Sequence, residues 1–229
     1  MTTSAESVPP LSPLAAGAAA LRRFWRPFLL IQFGAVLLAL AFRVSPSFRL
    51  AAAIAAGWKA SGGLPFAAAT CAIAGGILPE LAKLLAMGPG ILTGRAGEVA
   101  FNTAFFAFDG VVIDFLYRGE ARLFGSAGSL RTVIEKVAFD QFVFSPTWSV
   151  GIVLLFLWRQ RGFSAAAVRP ALGRGFFAER VMPLLLPNWL FWIPMVSVIY
   201  ALPIPLQFLM FIPALAAWSL IMVFIADRG

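Results

Sequence analysis

Lys136, Asp140 and Gln141 stand within KVAFDQFVFSP, residues 136–146, at the mouth of an apolar run that continues to Trp158. Charged and amide side chains in so apolar a setting do one of two things. They line a water-filled path, or they tie neighbouring helices together through hydrogen bonds. Lys136, Asp140, Thr147 and Gly151 follow one another at spacings of four, seven and four, which sets them along one side of a helix. Pro146 has no N–H to give the carbonyl of Phe142, so the spacing predicts a kink there and an open acceptor within the seam. Two more carboxylates lie in the preceding apolar run. Asp109 follows Asn102 by seven residues and shares its helical face, while Asp114 precedes Arg118 by four, the favourable order for an interfacial ion pair across one turn. A charge at mid-membrane costs about 2.5–3.5 kcal/mol on insertion scales, so each of these groups needs a partner, water or an interfacial position.

Other chemistry is excluded by residue type. The chain has no histidine, and Cys71 is its only cysteine, which removes intrachain disulfides, His-containing metal sites and His-based triads or proton relays. GPGILTGRAG, residues 88–97, has neither phosphate-loop nor dinucleotide-fingerprint spacing, and FGSAGSL, residues 124–130, lacks the spacing of a hydrolase nucleophile turn. Both read as turns between helices. The expectation is a protein that is not an enzyme and has no metal or cofactor.

The elements that must hold the polar residues are membrane helices. Of 229 residues, 61% are hydrophobic and 12% charged, with a mean hydropathy of +0.89. A bilayer core about 30 Å thick takes about 20 helical residues to cross. The 46 residues between Arg180 and Asp227 carry no charge, and Pro203 and Pro205 divide them into a helical hairpin. Before it come Val137–Trp158, Val99–Tyr117, Ala60–Pro79 and the shorter Pro27–Phe42. The runs are continuous, without the period-two alternation of a membrane barrel. The fold expected is all-α, an integral membrane bundle of five to six transmembrane helices, with residues 27–229 as one domain after a flexible tail, residues 1–26. That tail is poor in acid and rich in Ser, Ala and Pro, and it reads either as a free end or as a targeting peptide.

The net charge of +8 belongs to loops and not to a nucleic-acid surface. Arg159, Arg161, Arg169, Arg174 and Arg180 gather between two spans with Glu179 as the only acid, which places that loop on the cytoplasmic or matrix-like side. Glu120 and Glu135 read as loop acids among Arg118, Arg122, Arg131 and Lys136. A short echo, AFDGVV at 107–112 against AFDQFV at 138–143, sets an aspartate at matching depth in two helices.

Lys136, Asp140-Gln141 and Pro146, followed by Asn188-Trp189, Trp192, Pro194, Pro203 and Trp218, form a pattern that resembles the Mpv-seventeen family, also called the 22-kDa peroxisomal membrane protein family. The likeness runs from about Trp58 to Phe224, and K-x-x-x-D-Q-x-x-x-x-P is its most specific part. The family's Gly-Pro pair is Gly110-Val111 here, and residues 1–57 have no counterpart. The resemblance implies a small integral protein of the mitochondrial inner or peroxisomal membrane, or of the cytoplasmic membrane in a bacterium. It implies a weakly selective pore for small solutes. On that reading Asn102, Asp109, Asp140, Gln141, Thr147 and Asn188 line or gate the path, Lys136 sets charge at its mouth, and Pro146 and Pro194 kink the helices. The partners expected are the lipid bilayer, small solutes and further copies of the chain. The competing expectation is a non-conducting structural membrane protein whose polar seams only fix helix packing.

Overall fold

Helix follows helix along the chain, and no strand occurs among the described residues. The computed structural model describes residues 13–126 and 128–226. The helices are α1 Pro13–Val44, α2 Pro46–Cys71, α3 Leu78–Met87, α4 Ala96–Phe124, α5 Leu130–Phe139, α6 Ser145–Gln160, α7 Ala165–Val168, α8 Met182–Tyr200 and α9 Ile204–Ala226. π-Helical turns at Ala72–Ile77 and Asp140–Phe144 join α2 to α3 and α5 to α6, so several of these pieces form longer rods. Six segments are long and apolar enough to cross a membrane: Trp25–Val44, Pro46–Met87, Ala96–Phe124, Leu130–Gln160, Phe177–Tyr200 and Ile204–Met222. This is an all-α integral membrane protein. Residues 1–12 of the expected tail lie outside the described residues, whereas residues 13–26 begin α1, where the alanine-rich stretch has high helix propensity.

The boundaries follow local chemistry. Ser45 separates α1 from α2, and its hydroxyl accepts the Phe48 N–H at 3.2 Å, with Pro46 at the first helical position where its missing N–H removes nothing. GPGILTGRAG is the turn between α3 and α4, with Gly88 at φ 83° ending α3. It is clasped by charge: Glu80 pairs with Lys83 at 2.8 Å and with Arg95 at 3.4 Å, and Arg95 also grips Glu98 at 2.9 Å. Ser129 begins α5 by accepting the Thr132 N–H at 3.2 Å. The final hairpin turns at Ala201–Pro203.

The chain divides into two compact units, Met1–Trp25 with Asp140–Leu190, and Arg26–Phe139 with Phe191–Gly229. The first is centred on Val153, Leu157, Val168, Val181 and Leu185, with Trp189 packed against them. In the second, α4 packs on α2, on the π turn and on α9. Lipid tails are as apolar as leucine, so close van der Waals packing through small residues drives this association rather than water exclusion. At Gly110 a Cβ would meet the Ala67 carbonyl and lie 2.7 Å from the Cys71 Cβ, and at Gly76 it would lie 2.6 Å from the Thr103 Cα. These glycines let α4 and the α2 rod touch backbone to backbone. Aromatic contacts fill the remainder, with Trp192 stacked on Phe211 at 5.4 Å and Phe28 set edge-on to Phe191 at 5.7 Å.

Candidate functional site

Helix α2 breaks inside its membrane-length rod. Gly63 has φ 52° and ψ −133°, a conformation open to glycine and strained for other residues. Pro65, two residues on, has no N–H for the carbonyl of Ser61 and disfavours helical geometry at Leu64. The break exposes backbone acceptors, and Lys59 answers one of them: its Nζ donates to the Gly63 carbonyl at 3.3 Å. The same ammonium lies 2.7 Å from Asp114 Oδ1 and 4.8 Å from the centroid of the Phe208 ring. Asp114 Oδ2 lies 2.7 Å from Arg118 Nη2. Lys59 and Asp114 are buried, while the Arg118 side chain is 52% exposed, so the cluster runs from an interior lysine to a solvent- or headgroup-facing arginine.

A second lysine mirrors the first. Lys136 on α5 is 1% exposed, its Nζ 5.6 Å from the Tyr200 ring centroid. Glu120 on α4, fully buried, couples to it electrostatically. Tyr117 lies between Asp114 and Glu120 on α4, and its ring meets Tyr200 at 5.6 Å, Phe208 at 6.4 Å and Phe211 at 6.1 Å. Two carboxylates on one helix, Asp114 in contact with Lys59 and Glu120 coupled electrostatically to Lys136, thus accompany a single aromatic layer within the second unit. A desolvated cation over an aromatic face gains about 2 kcal/mol, so the layer helps to hold both ammonium groups. No group of metal-ligating side chains occurs among the described residues.

The other sequence-derived candidates fall in different places. Asp109 is buried five residues before Asp114 and couples electrostatically to Cys71, while Asn102 is half-buried on the same helix. In the first unit, Asp140 and Gln141 are buried and Asn188 is half-buried. Thr147 and Gly151 are exposed, and the Thr147 hydroxyl donates to its own helix at the Val143 carbonyl, 2.7 Å away. The expected seam from Lys136 to Gly151 therefore ends at Gln141. The cause lies within the first unit: the π turn at Asp140–Phe144 inserts one extra residue between Asp140 and Thr147 and shifts their shared phase.

The same turn corrects the reading of Pro146. In a register of five, the carbonyl that Pro146 leaves without an N–H is that of Gln141, not Phe142. That carbonyl accepts the Trp189 indole Nε1–H at 2.7 Å. Pro146 itself sits in the first turn of α6, where a proline is tolerated, and Pro194 lies within α8 without interrupting it. Trp189→Phe removes the donor and leaves a buried acceptor, which costs about 1–3 kcal/mol. Thermal unfolding in detergent would measure the loss, and a carbonyl infrared band labelled at Gln141 would shift to higher frequency in the variant.

Lys59 and Glu120 escaped the sequence reading. Lys59 looked like the boundary of a span beginning at Ala60, and Glu120 looked like a loop acid. One feature could have found Lys59: it is the only charge between Arg49 and Glu80, four residues ahead of a Gly-Gly pair's second member and six ahead of a proline. The chain matches no family model, no curated protein and no solved structure.

Proposed function

We propose that the chain is a membrane transport protein of the Mpv-seventeen type, giving small solutes a path past the charged layer of its second unit. The observation that carries this reading is the break at Gly63. Irregular backbone within a membrane-length rod is tolerated where it is buried in protein or lines a cavity, and discontinuous helices with nearby charges form the solute sites of many transporters. Lys59, Asp109, Asp114, Glu120 and Lys136 supply the charges, and Asn102 lies on the same helix as the three carboxylates. The resemblance carried by Lys136, Asp140-Gln141, Pro146 and Asn188-Trp189 supports the same class. It extends the proposal to a mitochondrial inner or peroxisomal membrane, or the cytoplasmic membrane of a bacterium.

A second reading has its own observation. Asp114 is paired with both Lys59 and Arg118, so this part of the cluster is satisfied without a solute, as a purely structural tie would be. Release of small solutes of graded size from proteoliposomes separates the two. Transport predicts release faster than from empty liposomes and slower release from the neutral swap Lys59→Met with Asp114→Leu. A structural role predicts no release from wild type, with the swap altering only thermal stability.

A further inference from the structure

A cavity of about 470 Å³ opens where three interhelical connections of the second unit meet. Arg43 and Arg49 line it from the α1–α2 corner, Ser126 and Gly128 from the connection before α5, and Leu202 and Pro203 from the turn into α9. Its lining includes two arginines and no acidic residue. Neither arginine forms an ion pair among the described residues. The two are held together all the same, because Arg49 Nη1 donates to the Arg43 carbonyl at 3.1 Å.

Of the two helix ends at this corner, one offsets positive charge and the other adds to it. Arg43 is in the last turn of α1, where a cation is favoured, but Arg49 is at the start of α2, which has no acidic residue in its first turn. A cation at a helix N-terminus opposes the dipole, whereas an anion there is stabilised by it. Two like charges, a helix start of the same sign and an apolar wall from Phe42, Leu202 and Pro203 describe a place built for an anion with an apolar neighbour.

We infer that this cavity binds a phosphate-bearing anion through Arg43 and Arg49, presented either by the headgroup of an anionic phospholipid or as a free phosphate compound. Arginine forks match phosphate oxygens bidentately, and the connections between spans lie at the depth where headgroups are found. The inference is independent of whether the chain conducts solutes.

The test uses the full chain in a neutral detergent with two probes, dioleoyl phosphatidylglycerol and inorganic phosphate. Native mass spectrometry counts retained lipid, and equilibrium dialysis of radiolabelled phosphate measures the free anion. Arg43→Gln with Arg49→Gln is expected to weaken binding about tenfold or more, the scale of losing charge-assisted hydrogen bonds, with each single variant intermediate. Arg131→Gln, outside the cavity and on an 87% exposed side chain, is expected to leave binding unchanged. Arginine-dependent retention of the lipid alone assigns the site to a headgroup, and arginine-dependent phosphate binding assigns it to a free anion. Binding of neither probe, equal binding by the double variant, or an equal loss in Arg131→Gln overturns the inference. The single variants, at exposed positions, keep the test decisive if the double variant loses helical circular dichroism.

Discussion

Asp114→Ala destabilises the protein by about 3–5 kcal/mol, because it leaves the buried Lys59 ammonium without its carboxylate. The reverse deletion is milder. Lys59→Met keeps the buried Asp114 carboxylate paired with Arg118 at 2.7 Å, so its charge stays compensated. Its loss is about 1–3 kcal/mol, the worth of a charged hydrogen bond with the Gly63 carbonyl left open as well. The double change Lys59→Met with Asp114→Leu recovers much of the loss, since replacing a buried pair by apolar side chains of similar volume is often neutral. Reversible unfolding in mixed micelles measures all three. An equal effect of the two single variants would show that Asp114 has no special hold on Lys59.

Gly110→Val is the other large change. The added side chain runs into the Ala67 carbonyl and the Cys71 side chain, and the first of these is backbone that cannot rotate away. Overpacking of this kind costs about 1–3 kcal/mol, and the rigid contact puts Gly110→Val at or above the upper end. The α2 and α4 backbones must separate, which also moves Asp114 from Lys59. Cysteine accessibility reports it directly: Cys71 is fully buried, and its reaction with a membrane-permeant maleimide should accelerate in the variant. Gly34→Val, at a position with open space around the glycine, is the matched control and should leave Cys71 protected.

The all-α membrane class was legible in the uncharged windows, because a helix crossing lipid satisfies its backbone internally and shows that requirement as length and apolarity. The hairpin of α8 and α9 turns at Ala201–Pro203, where Pro203 and Pro205 divide the longest uncharged run. Local backbone registers were hidden. The π turns at Ala72–Ile77 and Asp140–Phe144 have no composition that separates them from an α-helix, so the phase from Lys136 to Gly151 was carried past Asp140 one residue too far and Thr147 was set on the same side as Asp140. The Asp114–Arg118 contact needed only a spacing of four within one helix. The Lys59–Asp114 contact needed two helices to meet, and Glu120 opposite Lys136 needed the fold of α5 against α4. Charge clusters built across helices leave no sequence spacing to read.

The most direct measurement is a planar-bilayer recording of the purified protein under a salt gradient, with Lys136→Gln beside wild type. Lys136 is 1% exposed, with its ammonium over the Tyr200 ring, so on the proposed reading its charge acts on ion passage from inside the protein. Wild type is expected to give discrete conductance, with a reversal potential that moves toward cation preference when the lysine is neutralised. A silent bilayer from folded, helical protein, or a conductance whose reversal potential is the same in both proteins, would contradict this expectation.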